Sequence, residues 1–189
     1  MTSDAERWNH RWQAVSDPVG LAHPMVCALA LALPKGARVL DVAAGRGRQT
    51  RPLLDAGHRV TAVDVSAVGL ALIDAVDQHE LRTVVADLTM PLPAALKGPF
   101  DAIVCIDYRA PALWAGLRTR LEVGGHLLVS LATVVNLERH ARPSRRFLAE
   151  EGEQETILGP LEPVQSSAGW RDSGRHELWV WGQRPARMA

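Results

Sequence analysis

Residues 37–50 read ARVLDVAAGRGRQT, and this stretch decides the fold. It begins with a short apolar run, continues through a turn at Gly45 and Gly47, and then reaches residues that favour a helix. Asp41 lies at the end of the apolar run, and a second acid, Asp64, ends the next one at 59–64. A buried strand, a glycine turn and a helix are typical of a nucleoside site at the carboxyl edge of a parallel sheet.

Apolar runs alternate with helix-favouring segments along the rest of the chain. Strands are predicted near residues 38–42, 59–64, 82–86, 100–106 and 124–131. Helices are predicted near residues 4–15, 24–33, 48–56, 67–78 and 111–121. Because the strand runs are continuously apolar, they suit a parallel sheet covered by helices on both faces.

The end of the chain follows a different pattern. Residues 161–170 and 175–182 are predicted to form an antiparallel hairpin at the sheet edge, whereas 133–158 is either a surface helix or a lid. The predicted fold class is α/β, with a Rossmann-like, doubly wound sheet of seven strands. This sheet is mostly parallel, with an antiparallel C-terminal strand.

Length and composition indicate one globular domain. The chain has 189 residues, of which 47% are hydrophobic and 22% charged. We expect a helical cap at 1–34, a cofactor-binding core at 35–133, and a lid segment with the closing hairpin at 134–189.

Charge and hydropathy argue against several classes of partner. The formal net charge is zero, which argues against a nucleic-acid partner. No apolar run reaches the roughly 18 residues of a membrane span, and because the amino terminus is polar we expect no secretory signal there. Cys27 and Cys105 lie in apolar segments, as reduced thiols do, so we expect a cytoplasmic protein. The histidines show no metal-ligand spacing, and we predict no metal site.

The acids that follow the strands narrow the ligand. A dinucleotide loop needs a third glycine at the position of Thr50. The acid Asp41 repels a pyrophosphate and favours an ammonium or sulfonium group. Asp64 can accept from both hydroxyls of a ribose, and Asp87, after the third apolar run, from the exocyclic amine of adenine. S-adenosylmethionine fits this chemistry better than a nicotinamide dinucleotide does.

The chain resembles the class I S-adenosylmethionine-dependent methyltransferases, in particular their short bacterial branch of tellurite-resistance-type and thiol-type enzymes. The resemblance covers about residues 37–131. It rests on VLDVAAGRG at 39–47, VTAVDVS at 60–66, ADL at 86–88, FDAIV at 100–104 and LEVGGHLL at 121–128. The start WNHRW at 8–12 also resembles this branch.

The resemblance implies which residues bind the cofactor, whose product is S-adenosylhomocysteine. The methionine end would be lined by Asp41, Ala43, Gly45 and Gly47. Asp64 and Val65 would hold the ribose and one face of adenine, and Asp87 and Leu88 would contact the adenine edge. Ile106 and Asp107 would lie near the methyl group.

One departure from the family concerns the acceptor. Many relatives carry a histidine just after the fourth strand, where this chain has DYRAP at 107–111. Asp107 and Tyr108 are therefore the catalytic candidates, because an oxygen or nitrogen acceptor needs a base. Trp12, Arg109 and Arg145 are the candidate substrate residues.

The sequence thus predicts a methyltransferase that acts by in-line displacement on a small-molecule acceptor, such as a thiol or a chalcogen oxyanion. A second hypothesis is a sensor or partner subunit that binds S-adenosylmethionine without turnover. A nicotinamide-dependent oxidoreductase is a third, which Asp41 and Thr50 disfavour. The oligomeric state is left open.

Overall fold

A seven-stranded sheet forms the centre of the molecule. The computed structural model describes residues 3–73 and 78–186. The strands are β1 (Arg38–Val42), β2 (Arg59–Asp64), β3 (Leu81–Val85), β4 (Phe100–Ile106), β5 (Leu121–Ala132), β6 (Glu162–Trp170) and β7 (His176–Gln183). Their order in the sheet is β3-β2-β1-β4-β5-β7-β6. The first five strands are parallel to one another, and β7 is antiparallel to both of its neighbours. The predicted fold class is therefore confirmed.

Helices cover both faces of the sheet. They are α1 (Asp4–Gln13), α2 (Pro24–Ala32), α3 (Thr50–Asp55), α4 (Ala67–Ala71), α5 (Trp114–Arg118) and α6 (Glu153–Leu158). Short 3-10 turns occur at Gln78–Glu80, Pro111–Leu113, Val134–Glu138 and Arg145–Phe147. No helix in the described part of the chain is long and apolar enough to cross a bilayer.

Side chains that alternate between the two faces of each buried strand explain why helices form a layer on either side of the sheet. Leu40 of β1 belongs to one core cluster together with Trp114 of α5. Val39, the preceding residue, belongs to the other cluster, with Leu29 of α2 and Leu53 of α3. Because successive strand side chains point to opposite faces, a fully apolar strand needs a helical layer on each side.

Helix bounds differ from the prediction in three places. The helix predicted at 67–78 ends at Ala71, and residues 74–77 lie outside the described part of the chain. The helix predicted at 111–121 begins as a 3-10 turn with Pro111 in its first turn and ends at Arg118. Residues 133–158 form two 3-10 turns and α6 rather than one surface helix. Pro143 and the left-handed Gly152 interrupt this segment.

A charged network joins the closing hairpin to the N-terminal cap. Glu177 of β7 accepts a hydrogen bond from His23 Nε2 at 2.5 Å and another from the Ser130 hydroxyl. Burial alone raises the pKa of Glu177. The hydrogen bonds from His23 and Ser130, together with the charges of His23 and Arg175, outweigh burial and lower the pKa to about 2.

Glu177→Gln is expected to lower the free energy of unfolding by about 2–3 kcal/mol at pH 7, because the folded state favours the ionised carboxylate. Because the pKa of Glu177 is lower in the folded than in the unfolded protein, the ionised carboxylate stabilises the fold at a pH above the unfolded value of about 4.5. This contribution is lost as the pH falls toward 2. Urea denaturation at several pH values should show that the difference in the free energy of unfolding between wild type and variant decreases in that window. Glu162→Gln, an exposed change on β6, is the control. A difference in unfolding free energy that does not change with pH would contradict this role for the ionised Glu177 carboxylate.

Candidate active site

The carboxyl ends of β1, β2 and β4 meet at a cavity of about 460 Å³, which we call the first cavity. Its volume lies within the ~300–1,000 Å³ of small-ligand sites. It brings together most of the residues that the sequence singled out, namely Trp12, Ala43, Gly45, Asp64, Val65, Asp87, Leu88, Ile106, Asp107 and Tyr108. Parallel strands with right-handed crossovers direct all of these loops to one edge.

The two glycines of the turn have different surroundings. Both adopt positive φ, +55° at Gly45 and +82° at Gly47. Gly45 lines the first cavity, and a Cβ there would lie 3.0 Å from the Trp12 ring. Gly47 does not line it, and a Cβ there would lie 2.8 Å from Ile73. Gly47 therefore permits the turn to pack against the protein interior.

Asp64 joins two loops at the base of the first cavity. Its Oδ2 accepts from the Gly45 amide and its Oδ1 from the Ser66 amide, each at 2.8 Å. Burial raises the pKa of Asp64, although these backbone hydrogen bonds oppose the shift. Because an ionised carboxylate has about four acceptor positions, Asp64 can still accept from a ligand.

Asp41 lies behind the cavity wall. It is 1% exposed, and its Oδ2 accepts from the Thr50 hydroxyl at 2.6 Å. Burial raises the pKa of Asp41 to about 7. Asp41 is absent from the lining of the first cavity, so Thr50, rather than a ligand, is the direct partner of this acid.

Asp87 lies at the exposed rim of the first cavity. Its Oδ1 accepts from the Thr89 amide at 2.8 Å and from the Thr89 hydroxyl at 2.6 Å. These hydrogen bonds lower the pKa of Asp87. A carboxylate held ionised at the rim can accept from an amine.

Helix α1 covers the first cavity. None of its residues is buried, but Trp8, Arg11 and Trp12 all line the cavity. The two tryptophan rings stack with centroids 5.6 Å apart. Asn9, whose role no local motif indicates, accepts from the Ser66 hydroxyl at 2.6 Å and from the Val68 amide at 3.2 Å. Asn9 thus anchors the helix to the start of α4.

Two arginines hold Asp107 at the end of β4. Asp107 has a φ of +64°, in the left-handed region that is uncommon for residues other than glycine. Its carboxylate pairs with Arg48 from the glycine turn and with Arg175 from the β6–β7 hairpin. Burial by itself raises the pKa of Asp107, but Arg175 and Arg48 outweigh burial and hold the pKa below its usual range. Neither arginine was predicted, because charged residues on loops give no pairing signal in sequence.

A second cavity of about 1010 Å³ adjoins the first. The two share Asp4, Trp8, Arg11, Thr89, Asp107 and Tyr108. Burial raises the pKa of Tyr108 to about 12, so this phenol stays protonated at neutral pH. We call this neighbouring space the second cavity.

The predicted substrate residues lie in different places. Trp12 lines the first cavity, and Arg109 lines the second. The Arg109 guanidinium is held by Glu153, with Nε–O distances of 2.9 and 2.8 Å. Arg145 lines neither of these cavities and pairs with Glu150 at 2.6 Å on the surface. Arg142 and Arg146, its neighbours in sequence, do line the second cavity.

Comparison with known proteins finds similarity to methyltransferases. Residues 39–125 match the family model described as a methyltransferase domain. The chain is 28% identical over 176 residues to protein-L-isoaspartate O-methyltransferase 2 of Marinobacter nauticus, covering 85% of this chain and 78% of that protein.

Solved structures share the fold. Magnesium protoporphyrin IX methyltransferase from Synechocystis PCC 6803, with bound S-adenosylmethionine, superposes with a TM-score of 0.69 at 19% identity. The match covers 95% of this chain and 94% of that one. TehB from Haemophilus influenzae gives a TM-score of 0.68 at 17% identity, covering 95% of this chain but only 66% of TehB.

Proposed function

The chain carries a methyltransferase domain with the class I S-adenosylmethionine-dependent fold, and on this premise we propose that it transfers a methyl group to a small acceptor. The observation that carries the proposal is the pair of adjoining cavities. The first has the residues for an adenosyl cofactor, and the second gives an acceptor access at Asp107 and Tyr108.

The residues of the first cavity fit S-adenosylmethionine. Asp64 supplies a buried carboxylate for the ribose, and Asp87 and Leu88 supply an acceptor and an apolar surface for adenine. Trp12 of α1 packs against Gly45 at the wall of this cavity. When bound, the cofactor supplies an activated methyl group on a positively charged sulfur.

The acceptor side favours a nucleophile that is already ionised. A good general base has a pKa near the working pH. Asp107 is a weak base because Arg175 and Arg48 lower its pKa, and Tyr108 stays protonated because burial raises its pKa to about 12. A thiolate or a chalcogen oxyanion needs no base. In this proposal Asp107 and Tyr108 orient the acceptor and help to exclude water.

Small size is the other property that we propose for the acceptor. The second cavity, at about 1010 Å³, lies at the upper end of the ~300–1,000 Å³ range of small-molecule sites and so has room for an acceptor of drug-like size. The relative from Marinobacter nauticus is named for a protein acceptor. A protein acceptor is therefore the alternative that the experiment must include.

The test combines binding with turnover. Calorimetry should give micromolar binding of S-adenosylhomocysteine and no binding of NADH. Release of S-adenosylhomocysteine should then be measured over thiols, selenite, tellurite, phenols, amines and an isoaspartyl peptide. Turnover with thiols or chalcogen oxyanions would support the proposal. Binding of NADH instead of the adenosyl compound would overturn it, and turnover with the peptide alone would overturn the small-acceptor part.

A further inference from the structure

We propose that the second cavity selects an organic anion, an acceptor whose carboxylate is held by Arg142 and Arg146 while its nucleophilic atom faces Asp107 and Tyr108. The inference rests on the proposed function, because it assigns the acceptor class of that same site. The proposal concerns the carboxylate that anchors the acceptor. This carboxylate is distinct from the atom that receives the methyl group.

The second cavity is strongly cationic although the chain has no net charge. Its lining contains six arginines, Arg7, Arg11, Arg109, Arg142, Arg146 and Arg175, but only two acids, Asp4 and Asp107. Clustered guanidinium groups in a cavity are costly unless an anion balances them. The excess positive charge therefore favours an anionic occupant.

Ion pairs within the protein occupy three of these arginines. Arg7 pairs with Asp4, Arg109 with Glu153 and Arg175 with Asp107. Arg11 lies over the Trp8 ring and lines both cavities, so it does not distinguish the acceptor from the cofactor.

Arg142 and Arg146 remain for the acceptor. Neither forms an ion pair within residues 3–73 and 78–186, and both line the second cavity but not the first. The Arg146 guanidinium lies over the Phe147 ring, 4.5 Å from its centroid. Stacking of this kind leaves the N–H edge of an arginine free to bind a carboxylate through two parallel hydrogen bonds.

The segment that carries these arginines is fixed to the rest of the site. Arg109 donates to the Arg146 carbonyl at 3.1 Å. His140 Nε2 donates to the Gly174 carbonyl at 3.0 Å, which joins the segment to the turn that carries Arg175. Both arginines are exposed, and these hydrogen bonds restrain the backbone that carries them, so less chain entropy is lost when the two cations bind an anion.

The remaining walls of the second cavity indicate an organic body. Trp8, Tyr108, Leu131, Pro143 and Phe147 provide aromatic and apolar surface. A bare inorganic oxyanion would leave most of this surface uncovered, so of the two acceptors proposed above these walls favour an organic thiol over a chalcogen oxyanion. An aromatic or aliphatic acid would use both the apolar walls and the arginines.

Calorimetry with matched probes tests the proposal without requiring turnover. Naphthalene-2-carboxylate and the neutral naphthalene-2-carboxamide are titrated into the full chain, with and without S-adenosylhomocysteine. Naphthyl phosphate is included to show whether phosphate replaces carboxylate. We expect the carboxylate to bind at least about tenfold more tightly than the carboxamide. The double variant R142Q/R146Q should lose that preference while its affinity for S-adenosylhomocysteine stays within about twofold of wild type.

Arg139→Gln is the control variant. Arg139 belongs to the same segment but lies over the Trp170 ring and lines neither cavity, so its loss should leave carboxylate binding unchanged. Tighter binding of naphthyl phosphate than of the carboxylate would overturn the assignment of a carboxylate. Equal affinity for carboxylate and carboxamide, absence of anion binding, or an unchanged preference in R142Q/R146Q would overturn the proposal. Failure of the wild type to bind S-adenosylhomocysteine would count against the proposed function. The titrations without S-adenosylhomocysteine test the anion site independently of that result.

Discussion

Asp64→Ala is expected to raise the dissociation constant for S-adenosylhomocysteine at least about 100-fold, or about 2.7 kcal/mol. A hydrogen bond to a charged acceptor contributes about 1.5–3 kcal/mol, and the ribose would lose its carboxylate partner. The substitution also frees the Gly45 and Ser66 amides, so the glycine turn is no longer held against α4. Calorimetry on the folded variant measures the effect.

Two further variants make the Asp64 result specific. Asp64→Asn keeps the size of the side chain and one oxygen acceptor, so its affinity should fall between wild type and Asp64→Ala. Asp172→Ala removes an exposed acid from the hairpin turn and should bind as wild type does. Circular dichroism and urea denaturation establish that each variant is folded. Undiminished affinity in folded Asp64→Ala would remove Asp64 from the cofactor site.

Glu153→Ala is expected to lower the free energy of unfolding by about 3 kcal/mol, because it leaves a largely buried guanidinium without its partner. Glu153 is 6% exposed and accepts both from Arg109 Nε and from the Glu150 amide. For a chain of this size the melting temperature should fall by roughly 10 °C. Chemical denaturation gives the free energy, and calorimetric scanning gives the temperature.

A control on the same helix distinguishes loss of the Arg109–Glu153 ion pair from a general effect of the substitution on helix stability. Glu155 is exposed, and Glu155→Ala should change the free energy of unfolding by less than about 0.5 kcal/mol. Glu153→Gln, which keeps the shape but not the charge, should lie between the two. Equal stability of Glu153→Ala and Glu155→Ala would show that the Arg109 pair contributes little to folding.

Local patterns explain how much of the fold could be predicted. Strands β1, β2 and β4 occur at their predicted bounds because their runs are apolar, buried and delimited by charged or glycine residues. Ser66 caps α4, because its hydroxyl accepts from the Gly69 amide in the first turn of that helix. The prediction was weakest at 133–158, where short turns and one brief helix depend on partners elsewhere in the chain.

The residues predicted for the cofactor site fall into two groups, those that line the first cavity and those that do not. Gly45, Asp64 and Asp87 line the first cavity because each lies at or just after the carboxyl end of a parallel strand, and such strand ends share one edge. Asp41 and Gly47 belong to the same motif but do not line the cavity, because Asp41 is buried against Thr50 and Gly47 packs against Ile73. Only the path of the backbone distinguishes these two sets.

Periodicity and motifs within a few residues of each strand end were enough to predict the doubly wound fold and to indicate a methyltransferase that uses S-adenosylmethionine, because these features are local in the sequence. Tertiary structure alone decided which charged groups meet. Arg175 pairs with Asp107 across a separation of 68 residues, Asn9 anchors α1 across 57, and Arg142 and Arg146 rather than Arg145 line the second cavity. Arginines are alike in a sequence, and their roles follow from the carboxylates that folding brings within reach.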